Sequence, residues 1–269
     1  MPGVGHGDDA PAGAAGRVKL ALLSDVHANL PALEAVLDEI ARRGVDATYH
    51  LGDLVGYAPW PNETCERVAR AGITGVAGNY DSTVATDYKH CGCRYEDKRQ
   101  EELSHLSYAW TRENTSAEWK RWLGALPFRL DVRPEGGHAA GPTVILVHGN
   151  QTLNTVYVTE DRPDDFLAKM GAALGARDGD VVAFGHTHLP FHRTVAGVHF
   201  VNTGSVGRPK DGDPRAGFVV LDVGARDASV EFVRVAYDVK KAADAIRAST
   251  LPAEFAEFLE TGGRLTPRG

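Results

Sequence analysis

The sequence predicts an α/β fold of mixed sheets covered by helices, and three observations carry that expectation. Short β-rich runs alternate with helical periodicities through most of the chain, the pattern of sheets packed under helices. The closing runs are spaced as hairpins, which adds antiparallel strands to the parallel ones. With 269 residues and 43% apolar content, the chain can bury one substantial core without being divided into two domains.

Residues 1–16 are rich in Gly, Ala and Pro with no periodicity, so they are expected to be a disordered leader, and order is expected from Arg17. "VKLALLS" (18–24) reads as a strand. After it Leu33, Val36, Leu37 and Ile40 recur at helical spacing, with Asn29 placed to cap, Pro31 in the first turn and Gly44 at the end. Buried strands are expected at "ATYHL" (47–51), "ITGVA" (73–77), "TVILV" (143–147) and "DVVAF" (180–184). "HFVN" (199–202), "GFVVLD" (217–222) and "SVEFVRV" (229–235) continue antiparallel. The segment 87–126 breaks the rhythm: Leu103, Leu106, Tyr108, Trp110, Trp119, Trp122 and Leu123 indicate two helices, the second capped by Ser116, forming a helical insertion whose aromatics build its core. Residues 239–261 read as closing helices interrupted at Pro252. The whole of 17–269 is thus expected to be a single domain.

A formal net charge of −7 argues against holding a nucleic-acid duplex, which requires clustered Lys and Arg. No window approaches about 18 consecutive apolar residues, so no membrane span is expected, and the leader lacks the features of a secretory signal. The expected location is the cytoplasm. Cys65, Cys91 and Cys93 do not make a disulfide framework, and "HCGC" (90–93) is a C-x-C without a second pair, so ordinary reduced thiols are expected rather than a metal knuckle. His6 and His138 fall in Gly-rich stretches and read as solvated. His50 is expected to pack inside its strand, and His192 and His199 to lie in hairpin strands.

The residues just past each strand are chemically specific. The strand runs hand over in turn to Asp25-Val-His27, Gly52-Asp53, Gly78-Asn79-Tyr80-Asp81, His148-Gly149 and Gly185-His186-Thr187-His188. Carboxyl ends of strands in α/β sheets converge on one crevice, so these groups meet in space although distant in sequence. Each alone has a plain structural reading: Asp25 as a helix cap, Asp53 as an acceptor for loop amides, Asn79 as a turn former. Together they form a set of oxygen and imidazole donors, without thiolate, that suits first-row divalent ions. The set is too large for one tetrahedral site and matches two ions sharing a carboxylate.

The ordered series D-x-H, G-D, G-N-x-D, H-G and G-H-x-H resembles the calcineurin-like metallophosphoesterase superfamily over about residues 17–237. "NTGSVGRP" (202–209) further resembles its small bacterial phosphodiesterase branch, which includes diadenosine polyphosphate hydrolases. The resemblance implies a four-layer α-β-β-α sandwich and two divalent ions, manganese foremost, with iron, zinc, nickel or magnesium as alternatives. It assigns Asp25, His27 and His188 to the first ion, Asn79, His148 and His186 to the second, and Asp53 to both. The implied chemistry is in-line attack on phosphorus by a hydroxide bridging the ions, on a small-molecule or nucleotide phosphodiester. The implied catalytic residues are Asn79, Tyr80, Asp81 and His148. A nucleotidase or dinucleoside polyphosphate hydrolase would share every ligand, whereas a scaffold of the same fold would have drifted at them. An oligomer is compatible with all three.

Many members of the superfamily carry His where this chain has Tyr80. A phenol near pKa 10 donates a hydrogen bond but does not protonate a leaving group near neutrality as an imidazolium does, so diesters and activated esters are expected substrates. Asp81, which orients that His in the superfamily, has an equally good structural role here. Arg208, Lys210 and Arg215 flank a Gly/Pro-rich turn and are candidates for gripping phosphate oxygens, against the alternative of a charge-balanced solvated loop.

Overall fold

The computed structural model describes residues 17–95, 97–133 and 141–264, so the expectations for the leader, His6 and His138 lie outside the described residues. The expected mixed α/β architecture is what it shows. Strand β1 (Val18–Leu23) is followed by helix α1 (Leu30–Arg43), whose Asn29 side chain accepts from Ala32 N and whose chain leaves through Gly44 in the left-handed conformation (φ 59°). Its apolar face, Ala32, Leu33, Val36, Leu37 and Ile40, is buried as the spacing requires.

β2 (Ala47–His50), α2 (Pro61–Arg70), the short β3 (Thr74–Gly75) and α3 (Asn79–Ala85) come next. Helices α4 (Lys98–Asn114) and α5 (Ala117–Gly124) follow, then β4 (Arg129–Val132), β5 (Val144–Val147), α6 (Asp164–Leu174) and β6 (Val181–Phe184). The chain closes with β7 (Phe191–Val195), β8 (Val198–Asn202), β9 (Ala216–Val223), β10 (Ala228–Val235), α7 (Val239–Ala248) and α8 (Glu254–Thr261).

Two sheets result, with strand orders β10-β9-β1-β2-β3 and β4-β5-β6-β8-β7. In the first, β1, β2 and β3 run parallel and β9 and β10 antiparallel; in the second, β5, β6 and β8 are parallel, with β4 and β7 antiparallel at the edges. The period-2 alternation of side chains sorts each strand between two cores. Leu20 and Leu22 of β1 face Leu146, Ala183 and Val201 between the sheets, while Ala21 and Leu23 turn to α1. On the far side, Ile145, Val182 and Phe200 pack under Leu167, Met170 and Leu174 of α6. The layers are therefore helix, sheet, sheet, helix, and the parallel strands of both sheets deliver their carboxyl ends to one rim.

The 87–126 segment is helical as expected, but its aromatics do not form a private core. Trp119 and Trp122 join Cys65, Val84 and Leu123 in the layer over the first sheet, Trp110 packs with α7 and α8, and Leu106 is exposed. The helices gain more from burying those faces on the body of the fold than on each other. His50 is fully buried, and His192 and His199 stack across β7 and β8 with ring centroids 5.2 Å apart. Cys91 and Cys93 form a disulfide, correcting the expectation of free thiols; Cys65 is free and buried. Among the described residues no helix is long and apolar enough to cross a membrane.

Candidate metal centre

The loops leaving β1 and β2 are laced together before any side chain is considered. Asp25 N donates to Gly52 O, His27 N to Asp53 O and Ala28 N to Leu54 O, at 2.8–3.0 Å. Val206 N and Gly207 N reach Ser24 O and Asp25 O from the loop after β8. Five of the expected ligands, Asp25, His27, Asp53, His186 and His188, take left-handed φ between 50° and 68°. Such backbone costs on the order of 1–3 kcal/mol per non-glycine residue and persists only where its surroundings impose it. Gly185 explains part of the tightness: a Cβ there would stand 2.0 Å from Ser24 Oγ and 2.5 Å from Asp25 Oδ2.

All seven expected ligands converge, and all are buried. Asp25, His27 and His188 form one group and Asp53, His148 and His186 a second. In the first, His27 Nε2 lies 3.1 Å from His188 Nε2, and Asp25 Oδ1 lies 3.8 and 3.3 Å from them. A point about 2 Å from all three atoms exists, the usual metal–ligand distance. The tautomers make the case stronger. His27 Nδ1 donates to Val55 O (3.1 Å) and His188 Nδ1 to Arg208 O (2.5 Å), so both Nε2 atoms turn bare lone pairs toward each other. Burial, aided by His188, pushes the His27 pKa down to about 3, and burial lowers that of His188. Neither ring takes up a proton to relieve the opposition. Asp25 Oδ1 also lacks a hydrogen-bond partner among the described residues, while its Oδ2 accepts from Ser24 Oγ and His186 N. Buried acceptors aimed at one point fit a cation.

In the second group His148 Nε2 lies 3.2 Å from Asn79 Oδ1, 3.3 Å from His186 Nδ1 and 3.5 Å from Asp53 Oδ2. His148 Nδ1 donates to Leu51 O at 2.7 Å, and Asn79 turns its oxygen inward because its Nδ2 donates to Cys91 O at 3.0 Å. Asp53 Oδ2, 3.8 Å from His27 Nε2, stands between the groups, and Oδ1 is tied to Tyr80 N at 2.8 Å. Burial opposes charge on His148, but the Asp53 and Asp25 carboxylates and the Leu51 carbonyl together outweigh it and the pKa rises to about 9. A divalent cation held by Asp53 and His148 would displace that proton.

The remaining expected residues divide. Asp81 lies behind the cluster, where its oxygens accept from Leu54 N (2.9 Å) and Gly78 N (3.0 Å) and clamp the β2 and β3 loops; burial and then Asp53 push its pKa up to about 7. The Tyr80 hydroxyl donates to Ser107 Oγ at 3.4 Å, and burial holds it protonated. Arg208 is sandwiched with its guanidinium carbon 4.0 Å from the Tyr57 ring and 3.8 Å from the Phe258 ring. Arg215 corrects the expectation, since it turns to the surface and pairs with Asp213 at 2.7 Å.

A cavity of about 450 Å³ opens over the cluster, with His27, Asp53, Asn79, His186 and His188 at its floor and Arg208 and Lys210 in its wall. Sequence reasoning missed Tyr57, Tyr157 and Phe258 in that wall. Tyr157 packs at a 52° tilt against the His186 ring, centroids 4.1 Å apart. An aromatic at a loop or helix position reads as core in sequence, and nothing around these three marks them otherwise.

The sequence pattern of the calcineurin-like phosphoesterase superfamily domain matches residues 18–226, a span that holds every one of the converging ligands. The chain belongs to that superfamily. It is accordingly a phosphoesterase by family, with a donor set suited to divalent metals. It is 30% identical over 264 residues to the uncharacterized protein MJ0912 of Methanocaldococcus jannaschii, covering 90% of this chain and 98% of that one. It is 26% identical over 215 residues to the phosphodiesterase YfcE of Escherichia coli, covering 76% of this chain and 88% of that one. Among solved structures, a metallophosphoesterase from Sphaerobacter thermophilus aligns with TM-score 0.70 at 29% identity, over 92% of this chain and all (100%) of that one. The hypothetical protein PH1004 of Pyrococcus horikoshii shares the fold at TM-score 0.76 and 23% identity, over 93% and 100% of the two chains.

Proposed function

We propose that the chain is a dinuclear phosphodiesterase that hydrolyses small-molecule or nucleotide phosphodiesters in the cytoplasm. The observation that carries this reading is the pair of buried donor groups joined by Asp53, with neutral imidazoles facing one another at 3.1 Å in the first group. Asp25, His27 and His188 would hold one divalent ion, Asn79, His148 and His186 the other, and Asp53 both, manganese being the preferred metal. Two such ions supply charge neutralisation at phosphorus and lower the pKa of a water toward about 7.

The protein's own residues do the rest. Carbonyls of Leu51, Val55 and Arg208 fix the imidazole tautomers, so each ring offers a lone pair in a set direction. Arg208, held flat between Tyr57 and Phe258, has a guanidinium ready to pair with a phosphoryl oxygen, with Lys210 beside it in the wall. Tyr80 keeps its proton, so it donates a hydrogen bond and leaves no strong acid for a poor leaving group. This favours diesters with stable leaving groups over simple alkyl monoesters, and it accords with the name borne by YfcE.

The test is a panel of aryl phosphodiesters, phosphomonoesters, cyclic nucleotides and dinucleotides, assayed with Mn²⁺, Mg²⁺, Zn²⁺ or Fe²⁺ returned to apoprotein. Metal-dependent cleavage of diesters ahead of monoesters is expected. Preference for nucleoside monophosphates would replace the reading with a nucleotidase, and no turnover with any metal would make the chain a scaffold.

A further inference from the structure

The disulfide turn at 91–93 lies outside the ligand set, yet it touches both sides of the second cation group. Asn79 Nδ2 donates to Cys91 O at 3.0 Å and reaches Cys93 Sγ at 3.5 Å, which is what turns Asn79 Oδ1 inward. On the other side Arg94 N donates to the Tyr157 hydroxyl at 3.4 Å, and the Tyr157 ring packs at a tilt against His186, centroids 4.1 Å apart. Gly92, at φ 74°, lets the turn sit against Thr155: a Cβ there would come within 2.8 Å of Thr155 Cγ2.

We propose that Cys91 and Cys93 are a reversible dithiol–disulfide site, with small dithiols and disulfides as its reagents, that sets the affinity of the second cation group; this rests on the dinuclear reading. The bond adds little to the fold, because a cross-link between residues two apart closes the shortest of loops and removes little freedom from the unfolded chain. Its Cα–Cα separation of 5.4 Å lies within the span of an ordinary disulfide, so the bond can re-form once opened. The two sulfurs are unequal. Cys93 is half-buried and lines the cavity, where a thiol can reach it, whereas Cys91 is buried. Around Cys91 Sγ stand three groups able to donate to a thiolate: Cys93 N at 3.3 Å, the Tyr95 hydroxyl at 3.6 Å and Ser104 Oγ at 3.7 Å. That environment makes Cys91 the better leaving group.

Reduction then runs in two steps. The thiolate of a small dithiol attacks Cys93 Sγ, the Cys91–Cys93 bond breaks, and Cys91 leaves with the electron pair and takes up a proton. The reagent's second thiol, as thiolate, attacks its own sulfur in the mixed disulfide, so Cys93 leaves and is protonated. The protein gains two thiols and the reagent becomes a cyclic disulfide; oxidation is the reverse, with a small disulfide as the electron acceptor. Opening the bond releases the turn that restrains Asn79 and Tyr157. Loss of such an outer restraint weakens metal binding by about 10–100-fold.

Apoprotein would be treated with dithiothreitol, freed of it by anaerobic desalting, and titrated with Mn²⁺ by calorimetry beside untreated protein. Iodoacetamide labelling and intact mass would count thiols in each sample. With labelling done in denaturant, the expected result is two more labelled thiols in treated than in untreated protein, Cys65 counting in both, with the second Mn²⁺ bound about 10–100-fold more weakly and the first unchanged. Reoxidation would restore the affinity, and a folded Cys91→Ser/Cys93→Ser variant would not respond to the treatment. Two Mn²⁺ with identical isotherms in both states, or a bond that the dithiol does not open in folded protein, would overturn the proposal. Fewer than two Mn²⁺ in both states would instead overturn the dinuclear reading beneath it.

Discussion

The floor and the wall of the cavity are built on different principles. At the floor, the inward-facing atoms are acceptors whose direction is fixed from behind: His27, His148 and His188 by backbone carbonyls, Asn79 by Cys91 O, Asp53 by Tyr80 N. The wall is made of aromatic rings and cationic side chains, Arg208 and Lys210 among them, drawn from loops and from helices α4 and α8. The floor is thus fixed from more than one side. The wall is a packing surface, tied to the floor where Tyr157 meets the His186 ring and Cys93 Sγ meets Asn79 Nδ2. On the proposed reading, the difference separates chemistry from selectivity: the reaction class would belong to the floor and substrate choice to the wall.

The sharpest way to break this division is Asp53→Asn, which removes the carboxylate shared by both groups. Turnover is expected to fall by about 10³-fold, equivalent to several kcal/mol of lost electrostatic stabilisation, with metal content dropping alongside. Retained metal-dependent activity would show that the bridge is misassigned. Behind the floor, His50 probes how well it is sealed. Neither ring nitrogen has a hydrogen-bond partner among the described residues, and burial lowers its pKa from 6.5 to about 3. Between those values the unfolded chain binds the proton and the folded one does not, so stability falls as pH drops below about 6.5. His50→Leu should remove about 2 kcal/mol of the stability loss between about pH 6 and 4.5, read by urea melts; an unchanged pH profile would mean that water reaches the ring.

On the wall, Arg208→Ala should raise KM for a diester by about 10-fold or more, the worth of a charge-assisted hydrogen bond, while Mn²⁺ affinity stays the same because His188 leans on a backbone carbonyl. A matching loss of metal would erase the floor–wall distinction at this residue. The smallest effect belongs to Arg215→Ala. Exposed and paired with Asp213, it should leave activity and stability within error of the parent protein.

The floor was legible in the sequence because metal ligation demands particular atoms at strand ends, and strands of four to six residues announce themselves by composition. Even the helix caps at Asn29 and Ser116 followed from side-chain chemistry. The wall was not legible. Tyr57, Tyr157 and Phe258 look in sequence like any core aromatic, and only tertiary packing turns them to the cavity. Arg215 misled because its nearest countercharge, Asp213, sits two residues away and captures it. β3 shrank to two residues because the chain turns at Gly78 into α3 to present Asn79. The cysteine pair was misread for a related reason: a C-x-C spacing carries no signal of whether its sulfurs are joined.

The most direct test of the central claim is anomalous diffraction from crystals grown with Mn²⁺. Two manganese peaks about 3.5–4 Å apart are expected, one held by Asp25, His27 and His188, the other by Asn79, His148 and His186, with Asp53 touching both. A single peak, or peaks away from these side chains, would contradict it.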